Sequence, residues 1–481
     1  MTADPTTFAA ALANAQRGDE IQLATGTYAG PFELAASGVI VRAADGAAPV
    51  IADDLVVRGS DLEIRGIRFD SPSAGSPWLE LADAPNNVSI IGNVFDSHAP
   101  NRDDGAFTGL GITGTHTTLC GNAFGSWLGD EVSADKVDGL LIEHNDWALA
   151  SAQHALLAIV GHHVVIRENA FRNPWQRALH ITDRSDDDRT EDVVVEFNTF
   201  IDSDWVTGKP NPSNDEQFMG GNEVVRFLGA RGIFRGNILA GNHEGDNWAC
   251  HGILNFQTFI SGAGIDTRRF AQFRVYNNTF DANRTSAIIF YAGATPLDAT
   301  DNKFVNNVIS RSQDYAFSLC GDAHDLPIDT YKVAGNVMPG TSVHLDDQHV
   351  MTVDAAAAAK PGVFAENLDA MPIFVDESLA VKVAEAPASW PASRLVDAAY
   401  AAYQLTPESP GLGIQVPLAH VVSASAETLV VDDALFFSDG EGMVHGDDLF
   451  LNNNSWRVIA RDAATNTLTV DRPITAAPGD A

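Results

Sequence analysis

A single phrase constrains this chain more than any other feature: an alternating apolar strand that ends in asparagine, one further residue and a large apolar side chain. It occurs as IIGNVF, LCGNAF, IEHNDW, IRENAF, VEFNTF, FRGNIL, VYNNTF, FVNNVI and VAGNVM, with the asparagines at Asn93, Asn122, Asn145, Asn169, Asn198, Asn237, Asn278, Asn307 and Asn336. Most spacings fall between 23 and 30 residues, and two longer gaps flank Asn237. A fixed unit with insertions of variable length is the signature of a solenoid. Each Asn suits a tight turn, because its short amide tolerates left-handed backbone and bonds to neighbouring peptides. Coils stacked at the strand spacing of ~4.8 Å would align these turns in a ladder, with the alternate Ile, Val, Leu and Phe residues filling one core. A β-sandwich or propeller would leave the constant turns between variable insertions unexplained.

The expected fold is therefore all-β: a single-stranded right-handed parallel β-helix over residues 1–385. The amphipathic stretch at residues 5–16 should cap its open N-terminal end. Residues 386–414 read as an irregular return segment. Residues 415–481 hold short alternating strands with Asp, Gly and Asn turns, which suggests a small β-barrel-like module. No apolar run is long enough to span a membrane. The formal net charge of −35 argues against nucleic acid and anionic membrane surfaces as partners. Cys120, Cys250 and Cys320 match no metal or redox spacing and read as buried free thiols. Residues 1–14 lack the basic and apolar regions of a secretion leader, so a secreted or periplasmic location follows here only from the substrate class.

Two stretches carry a family resemblance. GDEIQLATGTYAGPFELAASGVIVRAADGAAPVIADDLVVRGSDLEIRGIRF and ALHITDRSDDDRTEDVVVEFNTFIDSD resemble the early and central coils of the pectate-lyase-like family that contains chondroitinase B and many alginate lyases, over roughly residues 5–340. The resemblance implies a polysaccharide lyase with a calcium-binding acidic pair, a lysine and an arginine on the next coil. Laid on this chain, the acidic position falls near Glu223, but Leu228 and Gln257 stand where the lysine and arginine belong. A second placement recovers Glu131 and Lys136 and leaves Ile159 or Val160 at the arginine position. The family's Lys/Arg pair is thus not recovered.

Strand parity supplies another route to a site, since a residue between two inward apolar neighbours faces outward. It sets Glu80, Ser133, His180, Arg226 and Asn255 outward, the last three on consecutive coils. Arg177, His154, Glu223 and His251 lie at the mouths of the same strands, and Gln257 and Lys136 are further candidates for binding substrate. About 13 of the 29 basic residues fall between Arg167 and Arg284, which suggests a local positive groove. Trp147, Trp175, Trp205 and Trp248 lie in or beside these coils and could offer flat faces to pyranose rings, although core packing explains a Trp equally well. Asp183, Asp186 and Asp188 are oxygen ligands that could hold Ca2+, or they could form a solvated loop.

The expected function is cleavage of an acidic, uronate-containing polysaccharide by β-elimination. His180 would serve as base, Arg226 and Arg177 as carboxylate partners, and His154 or His251 as acid. A glycoside hydrolase using carboxylates among Asp183, Asp215, Glu216, Glu223, Glu244 and Asp246 is the leading rival. A non-catalytic glycan-binding, tail-spike-like protein is the third class.

Overall fold

The structure is a computed structural model. It describes all residues except 71–76, 97–107, 126–129, 149–154, 173–176, 184–188, 202–222, 230, 243–251, 259–268, 293–297, 313, 322–325, 341–342, 347–348 and 386–388. Strands stack in parallel, coil upon coil, in a 24-stranded sheet that bends into two faces and an 11-stranded sheet that forms a third. The first face runs through Phe32–Leu34, Leu55–Val57 and Leu79–Leu81 to Arg177–Thr182, Val225–Leu228 and Gly252–Thr258. The second includes Glu191–Glu196, Gly232–Arg235 and Arg274–Tyr276. The third includes Ala170–Arg172, Thr199–Ile201 and Ile238–Ala240. Register shifts at Ile112/Gly114 and Asp135/Val137 mark the bend between the first two faces, where a local break in pairing re-aims the strand.

The asparagine turns form the expected ladder between the second and third faces. From Asn93 to Asn336, each Nδ2 donates to the Oδ1 of the next asparagine at 2.8 to 3.2 Å, and Asn367 adds a tenth member. That Oδ1 also accepts from the backbone N–H of the asparagine before it. From Asn93 to Asn336 the side chain two residues after each asparagine points inward, and Phe95, Phe124, Trp147, Phe171 and Phe200 continue a stack that starts at Phe69, with centroids 4.0 to 5.5 Å apart. Trp147 is therefore a fully buried core ring and cannot meet a sugar.

Both ends of the core are closed. The helix Phe8–Ala13 buries Phe8, Ala11 and Leu12, with Phe8 edge-on to Tyr28 and Phe32. At the other end, Val353 and Ala356 of the helix Val353–Ala359 enter the core. The last coil contact is the bridge between Val337 and Leu368. Beyond it, the segment that reads as irregular contains the helix Ala392–Ala402, whose Leu395, Ala399 and Ala402 pack on Ile201, Ile238 and Ala240 of the third face. Alanine-rich spacing at i, i+4 and i+7 supplied the signal.

The last residues form a five-stranded antiparallel sheet from Val421–Ser425 to Thr467–Val470. It docks on the second face through buried charge pairs, Arg274 Nε with Asp433 at 2.9 Å and Arg461 with Asp192 at 2.9 Å, and through Tyr276 Oη donating to the Phe436 carbonyl at 2.6 Å. Cys120 is a free cysteine, whereas Cys320 is disulfide-bonded, which corrects the reading of free thiols at that residue.

Candidate functional site

Register on the first face places His180 beside Arg226 and Arg226 beside Asn255 on three consecutive coils. The same row holds Glu80, Gly111, Ser133 and Ala158 on the coils before His180, and Ile289 and Ser318 after Asn255. Inward neighbours anchor every member. Leu179, Ile181, Val225, Phe227, Leu254 and Phe256 are all buried, so the row cannot turn over without expelling the core.

The row is sunken, which parity does not show. His180 and Arg226 are half-buried, while Asn255, Gln257 and Glu223 are 1%, 7% and 4% exposed. Glu223 organises one side: Arg177 Nε donates to its Oε2 at 2.9 Å and Asn255 Nδ2 to its Oε1 at 3.3 Å. Among the described residues Asn255 Oδ1 has no hydrogen-bond partner. On the other side, Arg226 donates through Nη2 to Gln257 Oε1, and among the described residues its Nε has no partner. Among the described residues no carboxylate lies within ion-pair distance of Arg226. Burial, with the Arg177 charge adding to it, pushes the guanidinium pKa down to about 10 against the pull of Glu223.

One neighbour went unnoticed in the sequence. Tyr291, half-buried, pairs in register with Gln257 and lies close enough to influence Arg226 electrostatically. The alternation Ile289, Phe290, Tyr291 carries that signal, because it puts the phenol outward on the next coil.

Other candidates fall elsewhere. Lys136 is exposed at the bend after the first face, two coils before His180, with left-handed backbone. The Asp183 carboxylate is buried and accepts from the Thr190 N–H at 2.7 Å, tying together the ends of its loop. Among the described residues no group of three or more His, Cys, Asp or Glu side chains could hold a metal ion. His154, His251, Trp175, Trp205, Trp248, Asp186, Asp188, Asp215, Glu216, Glu244 and Asp246 lie outside the described residues.

The positive groove inferred from clustered arginines is corrected. Arg172 binds Asp146 at 2.6 Å on the third face. Arg235 and Arg274 lie on the second face beneath the C-terminal sheet, paired with Glu196, Asp447 and Asp433. A coil distributes every run of sequence over three faces, so proximity along the chain does not become proximity on one of them.

No family model and no curated protein matches this chain. Among solved structures it is similar to a mannuronic-acid-specific polysaccharide family 6 lyase from human gut microbiota, at 13% identity and a TM-score of 0.48 over 76% of this chain and 91% of that one. It is also similar to the PL6 alginate lyase AlyGC, at 15% identity and a TM-score of 0.46 over 79% of this chain and 54% of that one. A third likeness is to tailspike protein 3 of bacteriophage CBA120, at 12% identity and a TM-score of 0.38, covering 72% of this chain and 57% of that one. Likenesses this distant carry no statement about chemistry, which rests on the side chains described above.

Proposed function

We propose that this protein is a polysaccharide lyase that cleaves an acidic, uronate-containing glycan by β-elimination along the His180–Arg226–Asn255 row. The observation that carries the reading is Arg226. It is a guanidinium depleted of water, bonded to a neutral amide, with a free Nε and no carboxylate within reach among the described residues. A charge in that state gains most from an arriving anion, and planar carboxylate geometry suits it. The uronate carboxylate is such an anion. Glu223, which would otherwise neutralise the site, is already engaged by Arg177.

In this reading Arg226 draws charge from the C5 carboxylate and so acidifies the C5 proton. His180 takes that proton, the C4–O4 bond breaks as the C4=C5 double bond forms, and the departing O4 takes a proton from water. Asn255 Oδ1 offers an acceptor for a sugar hydroxyl. A hydrolase would need two carboxylates free to act. The two described candidates, Asp183 and Glu223, are each held by other groups. The Cys320 disulfide suits an oxidising, extracytoplasmic compartment, consistent with a polymeric substrate.

His180→Ala should fold, since the ring packs outside the core, and should lower turnover by about 10² to 10⁴. The matched control is the same glycan with its carboxyls reduced to alcohols, which the parent protein should not cleave. Cleavage of the neutral form at the parent rate would remove the basis for the Arg226 role, and an unchanged rate for His180→Ala would remove His180 as base. Running the assay with a chelator shows whether calcium contributes.

A further inference from the structure

A second cleft lies away from this row, between the second face and the C-terminal sheet. It has a volume of about 710 Å³ and is lined from both sides, within the size range of small-molecule and sugar sites. Its floor is built on the asparagine ladder. The residue before each ladder asparagine has positive φ in all ten coils, from Gly92 to Glu366. Nine of those positions carry Gly, Asn, His or Glu. The remaining one is Phe197, with φ of 55°.

A bulky side chain in left-handed backbone is strained, and strain of this kind persists where it positions a functional group. The Phe197 ring is also 42% exposed. It lies against Gly236, the equivalent position of the next coil, where a Cβ would come within 2.6 Å of the ring. Two successive turns therefore leave room for an exposed aromatic ring that lines the cleft. The module supplies a second ring, Phe450, 79% exposed on the strand Asp448–Leu451. Around these rings the lining offers Asn277, His445, Asp448 and Arg167. Among the described residues the closest carboxylate contact of Arg167 is 3.3 Å and its Nε makes no hydrogen bond.

From these features we infer that the cleft is a glycan-binding site, separate from the catalytic row, that takes a sugar ring against Phe197 and Phe450. Flat aromatic faces match the apolar C–H faces of a pyranose. The amide, imidazole, carboxylate and guanidinium groups supply donors and acceptors for its hydroxyls. Such a site would hold a polymer on the C-terminal module while the row acts on the same or a neighbouring chain, raising the effective concentration of substrate. The assignment does not depend on the chemistry of Arg226, so either can fail alone.

Affinity electrophoresis tests it, with a soluble glucan, a soluble mannan and alginate in the gel and His180→Ala as the background protein to suppress cleavage. At least one polysaccharide should retard the protein. Phe450→Ala and Phe197→Gly should each weaken that retardation by about tenfold. Phe197→Gly also separates binding from folding: glycine relieves the strained backbone, so its melting temperature should match or exceed that of the background protein while binding is lost. Retardation unchanged in both variants overturns the inference, as does the absence of retardation by all three polysaccharides. Displacement of 1-anilinonaphthalene sulfonate from the cleft by dodecanoate, without polysaccharide binding, would assign the cleft to an amphipathic ligand instead.

Discussion

Arg226→Ala is expected to lower kcat/KM on the acidic glycan by about 10² to 10³, the size of effect seen when one preorganised donor to a developing oxyanion is removed. As the C5 proton leaves, negative charge grows on the uronate carboxylate, so Arg226 should bind the transition state more tightly than the substrate. The loss should therefore fall on kcat as well as KM. Arg226→Lys should recover only part of the rate, because an ammonium is a point charge and cannot present the planar fork. Stability should change little. Arg226 lies outside the core, makes its hydrogen bond to a neutral partner, Gln257, and carries a charge that burial already penalises. A variant that folds, melts within a few degrees of the parent and is nearly inactive places Arg226 in the chemistry. A variant as active as the parent removes it.

The second large effect concerns the scaffold. Asn198 sits mid-ladder and is fully buried. Its Nδ2 donates to the Ile166 carbonyl at 2.9 Å, the Glu196 carbonyl at 3.0 Å and Asn237 Oδ1 at 3.1 Å. Its Oδ1 accepts from the backbone N–H and the Nδ2 of Asn169, at 3.0 and 2.9 Å. Asn198→Ala strands several of these groups away from water. At about 1 to 3 kcal/mol for an unsatisfied buried group, the expected loss is on the order of 4 kcal/mol. Urea unfolding measures it. Because each coil is stabilised mainly by its neighbours, the transition should also split into N-terminal and C-terminal steps around the defect. A loss below about 1 kcal/mol would mean that the apolar core aligns the coils and the ladder merely follows.

The scaffold was legible because its signal repeats. Nine asparagines at one turn, and a large apolar side chain two residues later, state the same geometry many times, and parity then orders the outward row. Depth was not legible. Asn255 and Arg226 have the same parity, yet Asn255 is almost wholly buried and Arg226 only half, because parity gives direction and not what lies above. The arginine cluster misled for a related reason: a coil sends neighbouring residues to different faces, and Arg235 and Arg274 serve to dock the C-terminal sheet. Phe197 was hidden inside the repeat itself. VEFNTF fits the ladder phrase, and only the backbone angle shared by the other nine positions reveals that a phenylalanine there is costly.

Elimination guided by Arg226 on an acidic glycan can be followed by ultraviolet absorbance while the parent protein acts on a panel of uronate polysaccharides. A C4=C5 double bond conjugated to the carboxylate absorbs there, and a hydrolytic product does not. Absorbance should rise in step with chain shortening for at least one uronate polymer, and Arg226→Ala should abolish both together. New reducing ends without absorbance would contradict it in favour of hydrolysis, and neither signal from any member of the panel would contradict catalysis on uronate glycans altogether.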